Sequence, residues 1–429
     1  MLEMMNATRV VLAHPHPAPF VQQVGKALFD AGMLSRFATT FADRSDLVWR
    51  NAMCQSAKFF NFDLERQLQR RSITEFPLSL VMNYPWWEIV RTLVGRLDKD
   101  KRLTDIVFHY GNTGFDRWVA DRALVGVNCV YGYEYASLAT LQAAQKQGIA
   151  RIYDVPSPEH DFVESLLQQE IDRYPELCTS YRKYVKARQE CRTQRRRQEW
   201  QLANVVIANS EFTKASYAKS GLDISKVRVV PYGAPPVCQS AIFGGTTEQE
   251  PMRFLWAGTF SIRKGAHYLL DAWKRWQTKM DARLDVYGAM GLPSCLLQEL
   301  PDSICISGTV TRSQLYTHYR NADVLVFPTL CDGFGMVVTE AFAQGLPVIT
   351  TDRAGAADLV RHGVNGLIVP AGDASALTEA LDWCITHRKE VKAMRQAALE
   401  TAASWQWSDY RRVLIENIQD GLQAAGYAV

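Results

Sequence analysis

Short apolar runs alternate with helical stretches along both halves of this chain, and that alternation most limits the folds open to it. In the first half, runs at 9–13, 106–108, 128–131, 150–153, 204–208 and 227–230 read as strands. Helical patterns at 20–31, 137–147, 159–171 and 175–202 lie between them. The second half starts afresh with strands at 253–257, 283–287, 303–307, 324–327 and 347–350, separated by helices at 267–277, 313–322 and 339–344. Parallel strands joined by helical crossovers produce this order, so each half is expected to be a doubly wound α/β sheet. At 429 residues the chain is too long for one ordinary domain. Periodicity is lost over 233–251, where Pro, Gly and Thr accumulate. The expected division is therefore a first domain over 1–235, a linker over 236–251, a second domain over 252–404 and a terminal helix over 405–429.

Composition narrows the class. The net charge of +3 gives no reason to expect nucleic acid as a partner. No apolar run approaches the roughly 20 residues of a membrane span. The opening residues lack a basic region followed by a long apolar core, which speaks against a signal peptide. Nine scattered cysteines, with no C-x-x-C pair, point to reduced thiols in a cytoplasmic protein and away from a zinc site. Charge is uneven all the same. Arg182, Lys183, Lys186, Arg188, Arg192, Arg195, Arg196 and Arg197 face one acid, Glu190, within a single predicted helix. That run reads either as a solvated basic face or as a surface meeting anionic lipid, as at the inner face of a membrane, or a phosphate-bearing acceptor.

The stretch from Val324 to Pro370 carries the chemistry. A buried-type strand leads into Asp332-Gly333-Phe334-Gly335, where bare backbone can approach a ligand, and then into a helix bearing Glu340. A ligand would sit at the carboxyl end of a parallel strand beside a helix N-terminus, where open α/β sheets bind anions. Glu340 lies too far into the helix to cap it. Its carboxylate suits a diol such as a ribose. A second site is the loop Gly258-Thr259-Phe260-Ser261-Ile262-Arg263-Lys264-Gly265. Lys264 offers a point charge and Arg263 a planar donor fork, a pairing that suits a diphosphate. The loop is neither a Walker loop nor a dinucleotide fingerprint, because G-x-x-x-x-G-K-[ST] and G-x-G-x-x-G are both absent there.

Lys264, Asp332-Gly333-Phe334-Gly335 and Glu340, with Gly345-x-Pro347-Val348-Ile349 and Gly363-x-Asn365-Gly366, resemble the retaining GT-B-fold glycosyltransferases of family four, the glycosyl transferases of group one. Asn209-Ser210-Glu211-Phe212 and Val230-Pro231-Tyr232-Gly233 also look like that family. The resemblance implies two Rossmann-like domains facing a cleft, with the terminal helix crossing back to the first. It implies transfer of a hexosyl group from a nucleotide-diphosphate sugar of UDP or GDP type to a glycan or lipid-linked acceptor, in cell-surface polysaccharide synthesis, with no metal or other cofactor. Glu340 would hold the ribose and Asp332 the sugar hydroxyls. Gly333, Phe334, Gly335, Met336 and Val337, with Gly258 and Thr259, would line the donor site. Lys264 with an arginine would neutralise the diphosphate as the glycosidic bond breaks.

Three departures stand out. The family often has Glu where this chain has Asp332. Its arginine after the loop's first glycine is Thr259 here, so Arg263 is expected to supply the missing charge. Its first-domain histidine is absent from Val130-Tyr131-Gly132-Tyr133-Glu134. Glu134, Asp154 and His160 remain as candidates to face the cleft, with His160 preferred. His14 and His16, spaced by proline, read as a rigid acceptor-side loop before a metal site. Two other functions fit the same fold: a sugar-nucleotide epimerase, which would need acid–base residues around the sugar, and a non-catalytic glycan-binding subunit, which would be expected to lose the Lys264 and Glu340 pair.

Overall fold

Buried, β-branched runs such as Val205–Ala208 and Val324–Phe327 leave no face for solvent, and each lies inside a parallel sheet covered on both sides by helices. The computed structural model describes residues 8–43, 65, 68, 71–98, 101–238, 250–276, 281–298 and 300–428. The first sheet contains β1 (Val10–Ala13), β2 (Leu34–Thr39), β3 (Val81–Asn83), β4 (Cys129–Tyr133), β5 (Ala150–Val155), β6 (Val205–Ala208) and β7 (Val227–Val229). Its order is β3-β2-β1-β4-β5-β6-β7, all parallel. The second contains β8 (Met252–Ala257), β9 (Ala282–Tyr287), β10 (Ile304–Gly308), β11 (Val324–Phe327), β12 (Val348–Thr351) and β13 (Gly366–Val369). Its order is β10-β9-β8-β11-β12-β13, again all parallel. Two doubly wound sheets, as the alternation of apolar runs requires, form the architecture.

The last helix, Trp407–Ala424, returns to the first sheet. Tyr410, Leu414, Ile418 and Leu422 share a buried core with Val21, Val24 and Leu28 of the Pro19–Asp30 helix. Gly421 rests against Val205, where an added Cβ would lie 2.9 Å from the valine methyls. The chain crosses between sheets beside this helix, with Ala234 bridged to Gln406. Most of the linker expected over 236–251 lies outside the described residues, as does much of the helical stretch read between 46 and 102. No helix of the described residues is long and apolar enough to cross a membrane.

The structure corrects several elements. Residues 106–108 are not a strand but part of the Arg102–Arg122 helix. Three apolar residues do not separate the two states, and the buried positions Asp105, Asn112, Phe115, Asp116 and Val119 follow a helical period. The single helix read over 175–202 is broken into Ser180–Lys186, capped by Thr179, and Gln189–Leu202. β2 and β3 were not expected; β2 reads Leu-Ser-Arg-Phe-Ala-Thr, too mixed to signal a buried strand.

The basic run is also different from its sequence appearance. Five of its eight cations turn inward onto acids: Arg182 to Glu164 at 2.7 Å, Arg192 to Asp105 at 2.5 Å, Arg195 to Asp116 at 2.6 Å, Arg197 to Asp161 at 3.4 Å, and Arg196 to Glu134. These five cations are paired within the first domain, whereas Lys183, Lys186 and Arg188 lie exposed outside these pairs.

Candidate functional site

β8 and β11 are neighbours, yet the chain leaves them in opposite directions, toward β9 and toward β12. Such a switch point opens a crevice at the carboxyl ends of the two strands. The loop 258–265 leaves β8 there, and the loop 328–335 leaves β11. Gly265 lets them touch. Its φ is +74°, and an added Cβ would fall 1.9 Å from the Pro328 carbonyl oxygen. Beside it, the Leu330 N–H donates to the Arg263 carbonyl at 2.9 Å.

This contact delivers the cations to the acid. Lys264 Nζ donates to Asp332 Oδ2 at 3.0 Å, and Arg263 Nη1 lies 3.5 Å from the same oxygen. Arg263 also donates to the Cys331 carbonyl at 3.0 Å, which fixes its fork at the loop. Burial alone would push the Asp332 carboxyl up, but Lys264 and Arg263 outweigh it and hold Asp332 below its ordinary value. Lys264, Arg263 and Asp332 are therefore one charged group, carrying net positive charge. Thr259 is exposed, and Gly258, at φ +103°, turns the chain out of β8.

Gly335, at φ +90°, precedes the Met336–Ala343 helix without any side-chain cap; the Val338 N–H turns back to the Gly335 carbonyl at 2.9 Å, which leaves the Met336 and Val337 N–H groups at the helix start for a ligand. The helix begins earlier than the pattern over 339–344 implied, which puts Glu340 in its second turn. Arg312, on the Arg312–Asn321 helix, donates from Nη2 to Glu340 Oε1 at 3.0 Å. Burial raises the Glu340 pKa, and Arg312 opposes the rise. Sequence reasoning missed Arg312. Its only local signal is the capping box of Thr311 and Gln314, which marks the helix start one residue earlier than expected.

The Asp332–Gly335 turn also meets the first domain. Ser210 Oγ and Thr213 Oγ1 donate to the Gly333 carbonyl at 2.5 and 3.2 Å. An added Cβ on Gly333 would lie 2.2 Å from the Pro156 carbonyl oxygen. Phe334 is buried, and its ring meets Tyr232 edge-on with centroids 5.3 Å apart. Met336 and Val337 are half-buried at the helix start. Ser210, part of the Asn209–Phe212 motif, and Thr213, which the sequence reading did not name, are thus supports of the turn.

The first-domain candidates lie elsewhere. His160 Nδ1 is 2.8 Å from Thr193 Oγ1, and burial together with Arg196, Arg192 and Arg182 pushes its pKa down to about 3. Among the described residues no contact joins His160 to Lys264, Arg263 or Asp332. Glu134 is buried against Arg196. Asp154 accepts from Tyr131 Oη at 2.5 Å, and burial raises its pKa to about 7. His14 folds back through Nδ1 toward the His16 carbonyl, and its ring meets Tyr133 edge-on at 4.7 Å. Among the described residues no three His, Cys, Asp or Glu side chains gather as metal ligands would.

Residues 251–387 match the family described as glycosyl transferases group 1. The chain is 30% identical over 199 residues to the capsular polysaccharide biosynthesis glycosyltransferase CapM of Staphylococcus aureus, covering 42% of this chain and 52% of that protein. It is 31% identical over 220 residues to a D-inositol 3-phosphate glycosyltransferase of Mycolicibacterium smegmatis, covering 48% of this chain and 47% of that one. The matched stretches span 30% to 54% of the length of such curated relatives. Among solved structures, the sucrose-phosphate synthase of Thermosynechococcus elongatus superposes with a TM-score of 0.66 at 19% identity, over 97% of this chain and 100% of that chain. Anabaena Alr3699/HepE, in complex with UDP and glucose, superposes with a TM-score of 0.61 at 16% identity, over 96% and 99%. The two facing sheets and the returning helix are the GT-B fold.

Proposed function

We propose that this chain, whose second domain belongs to the glycosyl transferases of group 1, moves a hexosyl group from a nucleotide-diphosphate sugar to a glycan or lipid-linked acceptor. The observation that carries the reading is the convergence of Lys264, Arg263 and Asp332 at the sheet's switch point, directly before an uncapped helix N-terminus that also bears Glu340. Fixed cations and free backbone donors suit the two phosphates, and Glu340, about 6 Å further along the helix axis, suits the ribose. HepE is described with UDP and glucose, which favours a UDP-type donor over a GDP type.

The reaction then follows from charge. As the bond between the sugar and the diphosphate breaks, negative charge grows on the leaving phosphate. Lys264 and Arg263 meet that charge, doing what a magnesium ion does elsewhere, so transfer proceeds without a bound metal. Asp332 restrains both cations before the donor arrives; once the diphosphate engages them, its carboxylate is released to accept from the sugar hydroxyls. Attack by an acceptor hydroxyl on the face the nucleotide leaves, with its proton passing to the departing phosphate oxygen, would retain the anomeric configuration. The acceptor, drawn from polysaccharide or glycoconjugate synthesis in the cytoplasm, would enter from the first domain, whose Pro156 and Ser210 abut the Gly333 turn.

Incubation with UDP- and GDP-hexoses and a panel of acceptors tests this reading. Nucleotide release that depends on acceptor, persists in chelator and gives a product of unchanged anomeric configuration is expected. Isomerised sugar without acceptor would identify an epimerase instead. Binding with no turnover on any acceptor would leave a glycan- or nucleotide-binding subunit.

A further inference from the structure

Glu340 is an acid that burial disfavours, placed on a helix whose neighbouring positions Val338, Thr339, Ala341, Phe342 and Ala343 are all buried. Its side chain is only 13% exposed, whereas that of Arg312, its partner 28 residues earlier, is 47% exposed. Arg312 Nη2 donates to Oε1 at 3.0 Å, and the guanidinium lies 5.5 Å from the Tyr316 ring centroid on the same helix. The Thr311–Gln314 capping box sets the start of that helix, so Arg312 projects from a fixed first turn.

We propose that Arg312 is a positioning residue for the nucleotide: it keeps Glu340 ionised, and by engaging Oε1 it turns Oε2 toward the ribose diol. The inference rests on the reading of Glu340 as the ribose acceptor. A protonated Glu340 would spend one oxygen as a donor and accept the diol poorly, so the cation beside it decides whether the clamp works at neutral pH. The neighbouring cations Lys264, Arg320 and Arg395 are engaged elsewhere. Lys264 is bound to Asp332, Arg320 donates to Gln344 at 3.1 Å, and Arg395 donates to the Ala322 carbonyl and lies 3.7 Å from Asp323. The Tyr316 and Tyr319 phenols, held neutral by burial, supply no charge, although Tyr319 lies against Glu340 and its hydroxyl favours the ionised carboxylate less than Arg312 does.

Titration calorimetry with UDP, GDP and ADP, and with the 2′-deoxy form of whichever binds, provides the test, from about pH 5 to about pH 8.5. Arg312→Ala should weaken the ribonucleotide about tenfold near neutral pH and move its acid-side loss of binding upward by about one pH unit. Arg312→Lys should recover binding to within about threefold, and kcat at saturating donor should change less than about twofold, because the ribose is remote from the breaking bond. The 2′-deoxy nucleotide should feel Arg312→Ala far less. If Glu340→Ala weakens the nucleotide while Arg312→Ala leaves affinity or its pH profile unchanged, or costs the deoxy form as much, the positioning role is wrong and the ribose clamp survives. If Glu340→Ala itself binds the nucleotide normally, the clamp reading falls and the role of Arg312 falls with it. A melting temperature measured for each variant separates these outcomes from misfolding.

Discussion

Lys264 and Asp332 show how single residues set the chemistry of this crevice. The pair is 17% and 14% exposed, so its charges act with little solvent screening. Replacing Lys264 by methionine keeps much of its bulk over the Phe327 ring but removes the charge that would meet the leaving phosphate. The expected result is a fall in kcat of about 10²-fold with a smaller change in donor KM, read from steady-state rates. The same change should raise the Asp332 pKa, since Lys264 is the largest influence opposing burial there. Arg263→Ala should cost less, because Arg263 lies farther from Asp332 and is more exposed; an unchanged rate would show that it does not stand in for the arginine missing at Thr259. Asp154 gives a pH prediction. Its native pKa, about 7, stands above the 3.8 of a free Asp, because burial disfavours the charge. The native state therefore holds a proton the unfolded chain releases, so Asp154's contribution to stability is complete below about pH 4 and is lost as pH rises through 7. Asp154→Asn, which still accepts from Tyr131, should stabilise the protein by on the order of 4 kcal/mol near pH 8 and by little near pH 4, measured by urea denaturation at both.

Elements carry the next layer, and the turns that join them are where glycine matters. Gly32 and Gly265 sit at nearly the same backbone angle, φ +69° and +74°, but Gly32 has open space around its Cβ position while Gly265 faces the Pro328 oxygen at 1.9 Å. Gly32→Ala should cost about 1 kcal/mol, the left-handed penalty alone. Gly265→Ala should cost about 3 kcal/mol or more and lower kcat too, because the two site loops must part to admit the methyl group. Equal costs in denaturant melts would show that the loops yield freely. The strand–turn–helix run from Val324 to Ala343 was legible in the sequence because every signal in it is local: an all-buried strand, glycines at the turn, a helical pattern after. Arg312 was not, since its partner is 28 residues away and no periodicity links them. The arginines of the Gln189–Leu202 helix misled for the same reason: Asp105 and Asp116 lie 87 and 79 residues before their partners Arg192 and Arg195, so a run of like charge in sequence became a set of pairs in space.

At the scale of the molecule, several contacts among the described residues hold the two domains against each other. Tyr232, in the crossing segment, meets Phe334 of the Asp332–Gly335 turn and Trp407 and Tyr410 of the returning helix. Ser210 and Thr213 hold the Gly333 carbonyl. Farther out, Glu170 on the His160–Arg173 helix lies 3.0 Å from His267 Nε2 and accepts from Tyr268 Oη at 2.9 Å, both at the start of the Ala266–Arg275 helix. That last contact is the polar part of a seam in which Tyr174 also meets His267 and Tyr268 edge-on and Leu166 enters the second domain's core, and it joins the first domain to the helix that follows the Lys264 loop. Burial would raise the Glu170 pKa, but the bonds from His267 and Tyr268 outweigh it and hold the carboxyl below its ordinary value. Its contribution to the closed arrangement is therefore present above the free-Glu value of 4.5 and lost as pH falls through the native value. Glu170→Ala should remove that contribution at every pH. The expected outcome is a larger radius of gyration by solution scattering near neutral pH, matching what the unaltered protein shows on acidification, together with a donor KM raised about threefold and a kcat scarcely changed. An unaltered radius would mean that the Tyr232 and Gly333 contacts suffice to keep the crevice closed without Glu170.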